Sequence, residues 1–326
     1  MNPEPIALLF PGQGTQKQGM GEPWRDTGAW SLVEQVSERV GEDVAELLLH
    51  ADGELLRRTD LAQLAVFTVD VMAHDEARRS GLWSDAPVVA CAGHSLGEFA
   101  ALVAAGALGL ADAAGLVAVR GRAMREAAEL FDGTMGVLVG APLPAVEALV
   151  ADAQAAGHRV WVANVNAPGQ VVLSGSVDGV AAAAAEAPGI GAKLIAVPVG
   201  GAFHSPLMAP AASRLRAALA GVAFAGRHTP VVANVDARPH AAGADWPVLT
   251  ERQLVSPVLW EAGVRTLVDG LGCTRLIELG PGRTLAGMVR RIAPAVEVLS
   301  VDSPAALGAL AAPAVGRSGR VEGVRG

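Results

Sequence analysis

Short apolar runs closed by glycine or proline alternate along this chain with longer stretches in which apolar residues return every three or four positions. Ile6 to Phe10 is the first such run, and Pro11-Gly12-Gln13-Gly14 ends it, the pattern of a buried strand entering a glycine loop. Helical spacing follows over 30–40, 43–50 and 60–80. A second apolar run, Pro87 to Ala92, reads as a strand, and Phe99 to Ala105 favours a helix. Helical spacing returns over 111–130. Strand-like runs at 230–235, 275–279 and 296–301 are separated by helical segments at about 205–220, 258–270 and 283–292. Strands alternating with helices predict a mainly parallel sheet covered on both faces.

Residues 134–199 have another rhythm: strand at 135–140, helix at 144–156, strands at 159–164 and 170–174, helix at 177–187, strand at 193–199. That order, βαββαβ, is the ferredoxin-like split unit and suits an insertion into a larger α/β body. The expected organisation is a large α/β-hydrolase-like domain from 1–130 and 200–304 with a parallel sheet, and a small ferredoxin-like subdomain at 131–199. Residues 305–326 are Ala, Gly, Pro and Arg without periodicity and read as a disordered tail. A cleft between the two bodies is the natural place for a site.

With 51% hydrophobic and 18% charged residues, the chain falls among globular enzymes rather than disordered proteins. Cys91 and Cys273 are its only cysteines, too few for a disulfide framework or a cysteine zinc site, so the cytoplasm is the expected compartment. Met1-Asn2-Pro3-Glu4-Pro5 lacks the basic start of a signal peptide. From Ala100 to Val119 the only charge is Asp112, but the stretch is rich in alanine and glycine. A mid-span Asp costs about 2.5 to 3.5 kcal/mol in a membrane, so buried helices are expected there and no membrane span. The net charge of −8 and the lack of a basic stripe argue against nucleic acid. No His or Cys cluster has metal-ligand spacing, so no metal or permanently bound cofactor is expected, and a monomer is the default.

Gly93-His94-Ser95-Leu96-Gly97-Glu98 lies between the strand at 87–92 and the helix that follows. Strand, sharp turn and helix with a serine at the apex is the arrangement of a nucleophile elbow. The glycines permit a strained turn and close packing of helix on strand, and the serine hydroxyl stands where main-chain N–H groups can receive an oxyanion. Such a serine needs a base. Of the seven histidines, His94 sits inside the elbow, where packing is the simpler role. His50, His74, His158, His228 and His240 lie in polar or helical surroundings that suit surface or structural roles. His204 differs, because Gly200-Gly201-Ala202-Phe203-His204-Ser205-Pro206 leaves the inserted unit and re-enters the large body. No Asp or Glu stands at an obvious triad position between Ser95 and His204.

Several blocks occur in order: Pro11 to Gln16, Gly93 to Glu98, Val119-Arg120-Gly121-Arg122, Asn164 to Gln170, Ala202-Phe203-His204, Arg252-Gln253 through Val258, and Gly280-Pro281-Gly282. Together they resemble malonyl-CoA:acyl carrier protein transacylases and the acyltransferases of polyketide synthases, over about residues 5–302. The resemblance implies a free-standing enzyme that moves a malonyl group from malonyl-CoA to the phosphopantetheine thiol of an acyl carrier protein, in fatty-acid or polyketide biosynthesis. Ser95 would be acylated and His204 would act as base and acid, oriented by the backbone carbonyl of Gln253. The N–H groups of Gln13 and Leu96 would form the oxyanion hole. Arg120 would hold the malonyl carboxylate, where Arg122 and Arg125 read better as a solvated helix face. Asn166 and Gln63 are candidates for lining the site, and ordinary loop hydrogen bonding would explain them equally well.

The triplet Ala202-Phe203-His204 implies malonyl selection, Phe203 leaving little room for an α-methyl branch. Two positions depart from the family pattern: Gly201 replaces a frequent histidine, and Gln63-Leu64 replaces Gln-Pro. Because such carriers are acidic, Arg290 and Arg291 are candidates for docking them, with Lys193 and Arg214 behind. Rival readings are a thioesterase editing acyl chains on a carrier, a transferase for an unusual dicarboxylic or carrier-bound acyl donor, and a non-catalytic carrier-binding scaffold. The thioesterase has little use for a buried Arg120, and the scaffold has none for Ser95 and His204.

Overall fold

The first strand of the computed structural model, which describes residues 4–311, is β1 (Ile6–Phe10), and all five of its residues are buried. Ile6, Leu8 and Phe10 point into one apolar layer and Ala7 and Leu9 into another, so a strand with no polar position is satisfied on both faces. Next come α1 (Ser31–Val40), α2 (Val44–Leu49), α3 (Thr59–Arg79), β2 (Val88–Gly93), α4 (Gly97–Ala104) and α5 (Leu110–Leu130). The alanine-rich stretch after residue 100 is thus two buried helices. No helix among the described residues is long and apolar enough to cross a membrane. Cys91 and Cys273 are free and buried, and burial alone pushes the Cys91 thiol up to about 12.

The chain then builds β3 (Gly133–Val139), α6 (Leu143–Ala155), β4 (Val160–Ala167), β5 (Gln170–Ser176), α7 (Val177–Glu186) and β6 (Lys193–Val197). These strands form a separate antiparallel sheet in the order β4-β5-β3-β6, the arrangement of a split βαββαβ unit. Leu138, Val171 and Leu173 pack under α6 and α7, whereas Met135, Val137 and Val172 face the opposite way into a cleft. Val165 and Val258 exchange backbone hydrogen bonds with the facing segment, Val165 N–H to Val258 O at 2.9 Å and Val258 N–H to Ala163 O at 2.9 Å. Those bonds tie β4 to the segment just before residue 260.

The remainder is α8 (Ala209–Leu219), β7 (Val231–Val232), β8 (Pro239–His240), α9 (Trp246–Gln253), α10 (Trp260–Arg265), β9 (Arg275–Leu279), α11 (Thr284–Ile292), β10 (Glu297–Val301) and α12 (Pro304–Ala311). The larger sheet runs β10-β9-β1-β2-β7-β8, parallel except for the β7–β8 pair. The mainly parallel α/β architecture with a small second sheet agrees with the sequence reading.

Three expectations need correction. The strand expected over 230–235 stops at Val232, because the Asn234 N–H donates to the Glu98 carboxylate and its carbonyl accepts from Leu259. Helix α9 was not expected, although Asp245 accepts from the Val248 N–H at its start and Pro247 follows in the first turn, both N-terminal signals. Residues 305–311 are helical rather than frayed: the Ser303 hydroxyl accepts from the Ala306 N–H, and Leu307 is buried. The rest of the expected tail lies outside the described residues.

Candidate active site

Strand β2 ends at Gly93 opposite Phe10, and the chain reverses through His94 and Ser95 into α4. A Cβ at Gly93 would lie 2.0 Å from the Gly97 backbone, and one at Gly97 would lie 2.1 Å from the Phe10 carbonyl oxygen. Both glycines therefore serve close approach. The strained dihedral sits on Ser95 itself, at φ +52°, rather than on a glycine. A non-glycine residue there costs on the order of 1–3 kcal/mol and persists only where its surroundings hold it. His204 is also left-handed, at φ +56°.

Ser95 Oγ lies 2.7 Å from His204 Nε2, and His204 Nδ1 lies 2.8 Å from the Gln253 carbonyl oxygen. That carbonyl only accepts, so Nδ1 carries the proton and the Nε2 lone pair faces the serine hydroxyl. Burial, and then the Arg120 charge, push His204 down to about 3, which keeps the imidazole neutral.

Arg120 is 1% exposed and donates from Nη1 to Gln63 Oε1 at 2.6 Å, and from Nη2 to Ser95 Oγ and Gln253 Oε1 at 3.0 Å each. Its guanidinium lies 5.8 Å from the centre of the Phe99 ring. Burial pushes it down to about 10, with Glu98 opposing, so it stays cationic at neutral pH. Among the described residues no carboxylate touches it. Glu98 reaches it only through the Gln253 amide, whose Nε2 donates to Glu98 Oε1 at 2.9 Å. A buried cation facing a cleft without a counter-anion is costly, and a ligand carboxylate would relieve it.

The cleft of about 480 Å³ lies between the two sheets and is lined by the Pro11–Gln16 loop, Ser95, Arg120, Met124, Asn166, Phe203 and His204, with Arg57, Thr284 and Met288 nearer its rim. Among the described residues neither the Gln13 nor the Leu96 N–H has an acceptor, whereas the Ser95 N–H is taken by Asn234 Oδ1 at 2.7 Å.

Residues 7–299 match a family described as the acyl transferase domain. The chain belongs to that family. A malonyl CoA-acyl carrier protein transacylase of Bacillus subtilis is 37% identical over 302 residues, 92% of this chain and 94% of the relative. The solved malonyl CoA-acyl carrier protein transacylase of Coxiella burnetii superposes with a TM-score of 0.88 at 34% identity, covering 94% of this chain and 97% of that one. A malonyl-transacylase solved in complex with its type II PKS acyl-carrier protein superposes with a TM-score of 0.87 at 32% identity, over 94% and 98% of the two chains.

Within this acyl transferase the remaining sequence candidates are distributed unevenly. Asn166 faces the cleft and its Oδ1 lies 2.9 Å from His94 Nε2, the His94 ring meeting Trp260 edge-on at 5.4 Å. Gln63 does not line the cleft: it is fully buried behind Arg120, its Nε2 3.2 Å from Met124 Sδ. At Gly201 a Cβ would lie 2.7 Å from the Phe203 ring, so the absent side chain makes room for that phenylalanine. Leu64 is part of the core.

The basic candidates also separate. Arg290 is exposed, whereas Arg291 donates to the Pro168 carbonyl at 2.9 Å and to Gln170 Oε1 at 3.3 Å, bracing α11 against the β4–β5 turn. Arg214 is paired with Glu126, and Lys193 is exposed on β6. Of the other histidines, His74 stacks on Trp83, and His50, His158 and His240 each approach a carboxylate elsewhere. His228 contacts Trp246. Sequence reasoning missed Asn234, which bonds the Ser95 N–H. Glu98, the last residue of the elbow motif, accepts from the Asn234 N–H and the Gln253 amide, a role the motif itself does not announce.

Proposed function

We propose that this acyltransferase moves a malonyl group from malonyl-CoA, through an ester on Ser95, to the phosphopantetheine thiol of an acyl carrier protein of fatty-acid or polyketide biosynthesis. The observation that carries the malonyl assignment is Arg120, a buried cation 3.0 Å from the serine oxygen with no carboxylate in contact among the described residues. Its planar fork suits a terminal carboxylate held bidentately. The names of the similar proteins support the same reaction.

In the first half-reaction Ser95 gives its proton to His204 Nε2 as Oγ attacks the thioester carbon. The oxyanion takes the free N–H groups of Leu96 and Gln13, and collapse expels the CoA sulfur, which leaves with the proton from His204. In the second, the carrier thiol gives its proton to His204 and attacks the ester, and Ser95 takes that proton back on leaving. Phe203, at the cleft wall beside the base, restricts space at the α-carbon and favours malonyl over methylmalonyl. Arg290 is the docking candidate for the acidic carrier. The two free, buried thiols suit the cytoplasm.

Intact-mass measurement after exposure to malonyl-, methylmalonyl- and acetyl-CoA, with carrier proteins as acceptors, tests this reading. A malonyl adduct that is absent in Ser95→Ala and discharges to a carrier supports it. Turnover of malonyl-CoA to malonate without an adduct would favour the thioesterase.

A further inference from the structure

We propose that Glu98 and Asn234 are positioning residues that hold the nucleophile turn and the support of the base as one unit. The inference rests on Ser95 being the nucleophile. A closed ring of hydrogen bonds leads from the N–H of Ser95 back to its own carbonyl. Ser95 N–H donates to Asn234 Oδ1 at 2.7 Å, and the Asn234 N–H donates to Glu98 Oε2 at 2.7 Å. Glu98 Oε1 accepts from Gln253 Nε2 at 2.9 Å, and the same Nε2 donates to the Ser95 carbonyl at 2.9 Å. Asn234 Nδ2 also donates to the Gly93 carbonyl at 2.7 Å, spanning the turn from its other side.

Each member is almost wholly enclosed, with Asn234 5%, Glu98 1% and Gln253 0% exposed. Water cannot replace a lost partner there without opening the core, and an orphaned buried polar group bears the full penalty of having left water. That is comparable with the strain stored at Ser95, so breaking the ring lets the turn relax. Relaxation moves Oγ relative to His204 Nε2, and it moves the Gln253 carbonyl that fixes the imidazole. The ring also occupies the Ser95 N–H, which leaves the Leu96 N–H as the donor the elbow itself offers to an oxyanion. Neither Glu98 nor Asn234 lines the cleft, so both act through Ser95 and Gln253 rather than on substrate.

Two variants separate positioning from simple packing. Asn234→Ala removes the clamp on the Ser95 N–H. Glu98→Gln keeps shape and volume but turns one of two acceptors into a donor facing a donor. Both are read by kcat and KM for acylation with malonyl-CoA, and by the rate at which a fluorophosphonate probe labels Ser95, forming the Oγ–P bond and releasing fluoride. The expected result is a fall of about 10- to 100-fold in kcat and in probe labelling, with KM within threefold of wild type. A folded variant whose kcat and labelling stay within threefold overturns the proposal, as does a loss carried by KM. If Asn234→Ala does not fold, Glu98→Gln decides by the same criteria. Wild-type protein that takes the probe but not malonyl-CoA sinks the malonyl reading while leaving positioning testable. Wild-type protein that takes neither overturns both.

Discussion

Replacing Arg120 by alanine should change which acyl group reaches Ser95, more than it changes how fast the serine reacts. The guanidinium lies 3.0 Å from Ser95 Oγ, and a malonyl carboxylate would take its place among the acceptors there. Hydrogen bonds to charged groups contribute about 1.5 to 3 kcal/mol each, so two of them are worth about 3 to 6 kcal/mol, or on the order of 10² to 10⁴ in kcat/KM for malonyl-CoA. Acetyl-CoA has no carboxylate to offer, so the wild-type site holds it beside an unpaired buried cation. The variant should therefore load acetyl at the wild-type rate or faster. Gln63 Oε1 and Gln253 Oε1 both lose a donor in this variant, which costs stability by about 1–3 kcal/mol for each orphaned group. For that reason the informative quantity is the ratio of malonyl to acetyl adduct from an equimolar mixture, read by intact mass on folded protein. The wild type should favour malonyl strongly, and Arg120→Ala should bring the ratio to unity or below. Retention of the wild-type ratio would remove Arg120 from the role of carboxylate receptor.

Acylation by malonyl-CoA should stay level as pH falls from 7 to 5.5, because His204, held down to about 3, remains an unprotonated base. A limb centred near 6.5, the ordinary histidine value, would contradict the burial argument. Gly97→Ala, whose Cβ would lie 2.1 Å from the Phe10 carbonyl oxygen, should push α4 off β1 and abolish labelling or folding; a stable, fully active variant would show that the close approach is dispensable. Phe203→Ser should raise methylmalonyl over malonyl loading by about 10-fold or more, in line with the 1–3 kcal/mol attached to one methyl-sized group in a fitted pocket, and an unchanged ratio would place the selecting contact elsewhere. Arg290→Glu should slow discharge to an acidic carrier, most at low salt, while leaving Ser95 acylation intact. Equal loss in both half-reactions would disqualify Arg290. Arg291 is unsuited to that test because its charge braces the β4–β5 turn.

The strands were legible because their signal is local. Ile6 to Phe10 is an unbroken apolar run closed by Pro11-Gly12, and Leu276, Ile277 and Leu279 lead into Gly280-Pro281; both segments are central parallel strands. The split unit was legible for the same reason, its strands and helices following one another within a continuous segment. What escaped depends on partners distant in sequence. The early end of β7 comes from Asn234 turning to Glu98, 136 residues away, and no pattern around 230–235 announces it. The strained turn and its close packing were legible from the two glycines, but not that the left-handed dihedral falls on Ser95 itself. Gln63, a candidate for lining the site, lies behind Arg120 instead, because chain position fixes the helix and not the face that meets the cleft.

Gln253 illustrates why the site's chemistry reads poorly from sequence and well from geometry. Its carbonyl orients His204 where a hydrolytic triad would use a carboxylate, and its side-chain oxygen receives Arg120. An aspartate in that place would stabilise the imidazolium and raise the base. It would also neutralise the cation that the proposed malonyl carboxylate needs. A neutral orienter leaves Arg120 unpaired and His204 weakly basic. The carrier thiol, with a pKa of about 8.5, yields its proton to such a base far more readily than the Ser95 hydroxyl does, so acylation asks more of His204 than discharge. The same residue thus leaves Arg120 free for the proposed dicarboxylic acyl group while it orients the base that both half-reactions would share.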